Sequence, residues 1–74
     1  MDGEEVRSIR EKLGLTRDEF SEFLCIAGYQ SMMNIETGFR KPGKFTAKVL
    51  RHLESLSRLK AVALIKEMNA HDIK

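Results

Sequence analysis

The sequence predicts an all-α fold, a compact bundle of about five short helices containing a helix-turn-helix. Three observations carry this reading. Apolar residues recur at three- and four-residue spacing along most of the chain. Val, Ile and Thr are too scattered to build strands with a period of two. Residues that start and stop helices divide the chain into segments of helical length. With 74 residues, 42% of them hydrophobic and 32% charged, it has the profile of a single small globular domain spanning 1–74. A domain this short buries only roughly 60% of its unfolded surface, so it needs close packing or a second copy.

The first helix is expected from Gly3 to Leu13. Asp2 can cap it, with Glu5 three residues on as the reciprocal partner. Val6, Ile9 and Leu13 form one apolar stripe, and Gly14 offers the left-handed residue that ends many helices. Thr16-Arg17-Asp18-Glu19 repeats the start signal, so a second helix is expected from Arg17 to about Cys25, with Phe20, Phe23 and Leu24 inward. Ile26-Ala27-Gly28 is a short connector with the glycine a tight turn needs. The third helix is expected from Tyr29 to Thr37, with Met32 and Ile35 inward and Gly38 as its stop.

Phe39-Arg40-Lys41-Pro42-Gly43 reads as a loop, because Pro42 cannot continue a helix. A fourth helix is expected from Lys44 to about Leu53, with Phe45, Val49, Leu50 and Leu53 turned inward. A fifth apolar pattern runs over 56–70. Ser55 and Ser57 are weak breaks and leave open whether the fourth and fifth helices are continuous. Residues 61–65 are all apolar, more than one stripe of a surface helix requires, so this element is expected to present two faces.

Composition narrows the function. The single Cys25 cannot form an internal disulfide and has no adjacent His or Lys to activate it. Cys25, His52 and His71 give no zinc spacing, so no metal is expected. No apolar run approaches the ~18–20 residues of a membrane span. The acidic start, Met-Asp-Gly-Glu-Glu, is unlike a signal peptide, and a cytoplasmic location is expected. No nucleophile–base set, carboxylate pair or phosphate-cradling glycine loop is visible, so neither an enzyme nor a cofactor is expected.

Charge is uneven. Residues 1–24 hold seven acids and four bases, net −3. Residues 25–53 hold Glu36 against Arg40, Lys41, Lys44, Lys48 and Arg51, net +4. Residues 54–74 hold three acids and four bases, net +1. A cationic middle third suits a polyanion, and equally an ordinary solvated face.

Two short capped helices joined by a brief connector are the outline of a helix-turn-helix, whose second helix can enter a major groove about 12 Å wide. The residues add to this outline. Gly14-Leu15-Thr16-Arg17-Asp18-Glu19-Phe20, then Phe23-Leu24, then Ile35-Glu36-Thr37-Gly38-Phe39-Arg40-Lys41-Pro42 resemble the lambda-repressor/Cro-type (XRE-like) helix-turn-helix family over roughly residues 6–54. Arg10 matches a family arginine that pairs with the glutamate at Glu36. The sequence departs from the family at four points. Arg17 stands where glutamine is usual, Ser21 where a smaller residue is usual, and Cys25 where the turn glycine is usual. The segment from Cys25 to Gly38 is also one residue longer, with Gly28 as the substitute turn glycine, which shifts the register of the third helix by one position.

The resemblance implies a sequence-specific DNA-binding transcriptional regulator, a repressor of an inverted-repeat operator, with double-stranded DNA as partner. It implies base contacts from Arg17, Tyr29, Gln30, Ser31, Met33 and Asn34. Gln30 and Asn34 are four residues apart and share a face; such amides pair with adenine N6/N7 for about 1–3 kcal/mol of discrimination. Thr16, Arg40, Lys41 and Lys44 would hold phosphates. Gln30 and Asn34 also have a plainer reading as solvated polar residues, and Arg17 as a surface residue or the partner of Glu4 or Glu5. Arg10 and Glu36 are expected as a structural ion pair. A homodimer is expected, with Leu59, Val62, Leu64, Ile65 and Met68 as its contact, unless that face completes the monomer's core. Phe23 and Phe39 are each a core edge or a partner contact. The alternative function is a protein-interaction module, such as an antitoxin neutralising a protein toxin; architectural, non-specific DNA binding is a third.

Overall fold

A computed structural model describes residues 1–71 as five α-helices: α1 (Gly3–Leu13), α2 (Arg17–Phe23), α3 (Tyr29–Glu36), α4 (Lys44–Ser55) and α5 (Arg58–Asn69). The fold is all-α, with no strand among the described residues. α3 packs against both α1 and α2, and α5 closes over the same pair.

The capping signals act as the sequence suggests. The Glu5 N–H donates to Asp2 Oδ1 at 2.8 Å, and the Asp2 N–H donates back to Glu5 Oε1 at 3.3 Å. At α2 the Glu19 N–H donates to Thr16 Oγ1 at 3.1 Å, and the Thr16 N–H donates to Glu19 Oε1 at 2.9 Å. Each box satisfies N–H groups that no helical carbonyl can reach.

α2 stops two residues before its expected end, and Cys25 is the reason. It takes the left-handed conformation at φ 57°. Its N–H donates to the Glu22 carbonyl at 3.2 Å, and the Ile26 N–H donates to the Ser21 carbonyl at 2.9 Å. Those two bonds make a Schellman turn, with cysteine where glycine normally sits. Gly28, at φ 96°, then makes a second left-handed step into α3. Cys25 is exposed.

The core is built from Val6, Ile9, Leu13, Phe20, Phe23, Met32, Ile35, Leu50, Leu53, Ala61 and Ile65. Phe20 and Phe23 stack with ring centroids 6.4 Å apart, which settles Phe23 as core. Gly3 is buried because α1 begins directly against the end of α3; a Cβ there would overlap the carbonyl oxygens of Ile35 and Glu36.

Phe45 corrects the expectation for α4. It is 75% exposed, whereas Leu50 and Leu53 are fully enclosed. Five residues before Leu50, at 100° per residue, Phe45 falls about 140° off that line and in the first turn, beyond the core's edge. It flanks a shallow apolar recess of about 200 Å³, shared with Phe23, Leu24, Cys25, Thr46, Val49 and Met68.

The fourth and fifth helices are separate. Leu56 and Ser57 are extended, and the Ser57 side chain accepts from the Lys60 N–H at 3.4 Å. Lys12 Nζ donates to the carbonyls of Glu54 and Leu56, covering the open end of α4. The expected dimer face is corrected in part. Ile65 lies in the monomer's own core with Ala61, and Val62 and Leu64 pack half-buried against it. Only Leu59, at 86% exposure, and Met68 remain outward.

Candidate nucleic-acid interface

Two faces of α3 do different jobs. Met32 and Ile35 point into the core. Tyr29, Gln30 and Asn34 lie on the outward side, with Gln30 exposed, Tyr29 nearly half exposed and Asn34 partly so. Ser31 and Met33 are partly buried between the two faces. With eight residues, the helix is too short to persist alone; its neighbours hold it.

The strongest hold is electrostatic. Glu36, whose side chain is only 2% exposed, receives two arginines from two other helices. Arg10 Nε donates to Glu36 Oε2 at 2.7 Å, and its Nη2 donates to Oε1 at 3.2 Å. Arg10 Nη1 also donates to the Leu15 carbonyl at 3.0 Å, so the guanidinium ties the α1–α2 turn as well. Arg17 Nε donates to Glu36 Oε1 at 3.2 Å. The expected Arg10–Glu36 pair is therefore a triad joining α1, α2 and α3. No buried side-chain polar atom among the described residues lacks a partner.

Arg17, which the resemblance implies as a base contact, is tied to its neighbours rather than free. It is committed on one edge to Glu36, and its guanidinium carbon lies 5.6 Å from the centre of the Tyr29 ring. The sequence carried no signal for this link, because the helix-start pattern does not reveal which way a first-turn arginine folds.

On the outward face, Gln30 Nε2 donates to Asn34 Oδ1 at 3.0 Å. The shared face anticipated from their spacing is present. The bond still leaves Gln30 Oε1 able to accept and Asn34 Nδ2 able to donate. An amide's acceptor oxygen and donor nitrogen are the complement of adenine N6 and N7. The helix end is finished by Thr37, whose hydroxyl donates to the Met33 carbonyl at 2.9 Å, and by the Arg40 N–H, which donates to the Asn34 carbonyl at 3.0 Å. This last bond brings the cationic loop back beside the amide face.

Arg40, Lys41 and Lys44 are exposed. Arg40 and Lys41 border a recess that also holds Asp2 and Glu5, so their positive field is partly offset on that side. Thr16 is exposed, and its hydroxyl oxygen caps α2. Asp18, Glu19 and Glu22 are exposed on α2, so positive charge borders the end of α3 rather than α2. Phe39 is 85% exposed beside Arg40.

Among the described residues, no cluster of three or more His, Cys, Asp or Glu side chains is placed to hold a metal ion, and no helix is long and apolar enough to cross a membrane. In comparisons with known proteins, the chain matches no family model, no curated sequence and no solved structure.

Proposed function

We propose that this chain is a sequence-specific DNA-binding regulator that presents α3 to the major groove and represses by occupying an operator. One observation carries the reading: the paired amides of Gln30 and Asn34 sit on an outward helix face, backed by a core face and an ion triad that hold the helix still. Rigid support of this kind is what base reading requires, because a mobile amide pair discriminates poorly. Arg40 and Lys41 flank the end of that face and would bind phosphate, fixing register without reading sequence.

A second copy is part of the proposal. One eight-residue helix covers only a few base pairs, and non-specific binding of a single small basic face is about 10⁻⁴–10⁻⁶ M. Two copies with their third helices about 34–36 Å apart would read an inverted repeat. Leu59 and Met68 are the outward residues of α5 left for that contact.

Selection of bound duplexes from a random pool at moderate salt tests the reading; a palindromic motif is the expected result. Lys41→Ala should then weaken all sequences alike and lower the log–log salt slope by about one. The competing reading is a protein-interaction module of the antitoxin kind. It is favoured by Phe45, exposed at the rim of an apolar recess, and by the acids on α2. An apolar interface would show almost no salt dependence, and the pool would yield no motif.

A further inference from the structure

Arg17 and Tyr29 open consecutive helices, and their side chains meet. A guanidinium has a side edge at Nε and an end edge formed by its two Nη groups. Glu36 takes Nε of Arg17 at 3.2 Å, and the guanidinium carbon lies over the Tyr29 ring, 5.6 Å from its centre. The Tyr29 hydroxyl touches Nη1 only at 3.5 Å, and among the described residues Nη2 makes no hydrogen bond. The side chain is thus held at two points while its end edge carries only that one long bond. At 25% side-chain exposure it is reachable. An arginine held this way has already lost the freedom that binding would otherwise cost it.

Resting on the DNA-binding reading above, we infer that Tyr29 is a positioning residue for Arg17, not a base contact in its own right. Arg17 is then the contacting group. Its end edge takes two adjacent acceptors, which a duplex supplies either as guanine N7 and O6 or as two phosphate oxygens. The triad gives this contact a fixed origin, because Arg10 holds the other side of the same carboxylate.

The test is a double-mutant cycle on the full chain, using the duplex selected by the wild-type protein, with each variant melted first to show that it is folded. Arg17→Lys keeps a cation for Glu36 but removes the planar fork, so folding is not at risk as it would be with alanine. Tyr29→Ala should weaken binding roughly fivefold, the scale of a partly exposed cation–π contact. Tyr29→Phe keeps the ring and should stay within about twofold. The double variant Arg17→Lys/Tyr29→Ala should bind about as well as Arg17→Lys alone. Losses that multiply, or a Tyr29→Phe variant as weak as Tyr29→Ala, would overturn the inference while leaving DNA binding intact. A wild-type protein that selects no sequence overturns both. Substituting the duplex one base pair at a time separates the two acceptors. Loss of the Arg17 effect at a single G·C pair identifies the base, and a uniform effect with a lower salt slope identifies phosphate.

Discussion

Replacing Glu36 with glutamine tests the most consequential contact in the molecule. The substitution preserves shape and one carbonyl acceptor but removes the charge that two guanidinium groups share. Glu36 is 2% exposed and Arg10 12%, so neither can recover full hydration. Removing one member of such a buried pair costs about 3–5 kcal/mol. Arg17 is 25% exposed and can swing to water, and glutamine still accepts one bond, so the lower end of that range, about 3 kcal/mol, applies. At 74 residues the whole fold is worth about 4–11 kcal/mol. The melting midpoint should fall by roughly 12–24 °C, followed by circular dichroism at 222 nm. Arg7→Gln is the internal contrast. It breaks the Arg7–Glu11 pair, whose side chains are 57% and 58% exposed, and should cost no more than about 0.5 kcal/mol. A Glu36→Gln midpoint within a few degrees of wild type, or equal to that of Arg7→Gln, would mean the triad does not hold the helices together.

Three other outcomes follow from local geometry. Gly3→Ala should destabilise by about 1–3 kcal/mol in urea titrations, because the new methyl meets backbone carbonyls of α3 that cannot turn aside. Cys25→Gly should stabilise by up to about 1 kcal/mol and Cys25→Val should destabilise, since the turn requires φ 57°; equal midpoints for the two would contradict that backbone assignment. Stability should also decline in acid. The Arg51 guanidinium, then the Asp2 backbone N–H, lowers the pKa of Glu5, and the Thr16 backbone N–H and hydroxyl lower that of Glu19. Both groups start from an ordinary value of 4.5. Their contribution is therefore complete above about pH 4.5 and drains as pH falls through the depressed folded values. Melting Glu5→Gln/Glu19→Gln beside wild type should give a flatter acid limb, and an unchanged limb would assign the loss to other carboxylates.

What was legible in the sequence was local chemistry. Asp2 and Thr16 with their glutamates, and Gly14 and Gly38 as left-handed stops, depend on neighbours within a turn, so the helices begin where those residues say. Errors arose where distance in space decides. Phe45 obeys the apolar pattern, yet the core ends before reaching it. Ile65 looked available to a partner, yet the core reaches it. Cys25 resembled a departure from the turn pattern, but the backbone demands the left-handed residue whichever side chain is there. In the site, the Gln30–Asn34 face followed from a four-residue spacing. The second arginine on Glu36 could not follow from spacing, because a carboxylate's two oxygens carry no sequence record of how many partners they accept.

The triad also determines how any mutational study of the site must be read. Glu36, the last residue of α3, ties that helix to α1 and α2 and holds Arg17 in place, so one residue serves both the fold and the outward face. A loss of binding in a Glu36 variant would therefore confound unfolding with a released Arg17. The Gln30–Asn34 pair is free of this ambiguity. Neither side chain hydrogen-bonds to the triad, Gln30 is exposed, and their bond to each other is replaceable by water. Alanine at either position should leave the melting midpoint almost unchanged, because surface amides contribute little to stability. If these are base-reading groups, the same substitutions should cost about 1–3 kcal/mol on a selected duplex and nothing on random sequence. Equal losses on both kinds of duplex would leave the outward amides as solvated surface and shift the functional weight to the apolar recess around Phe45.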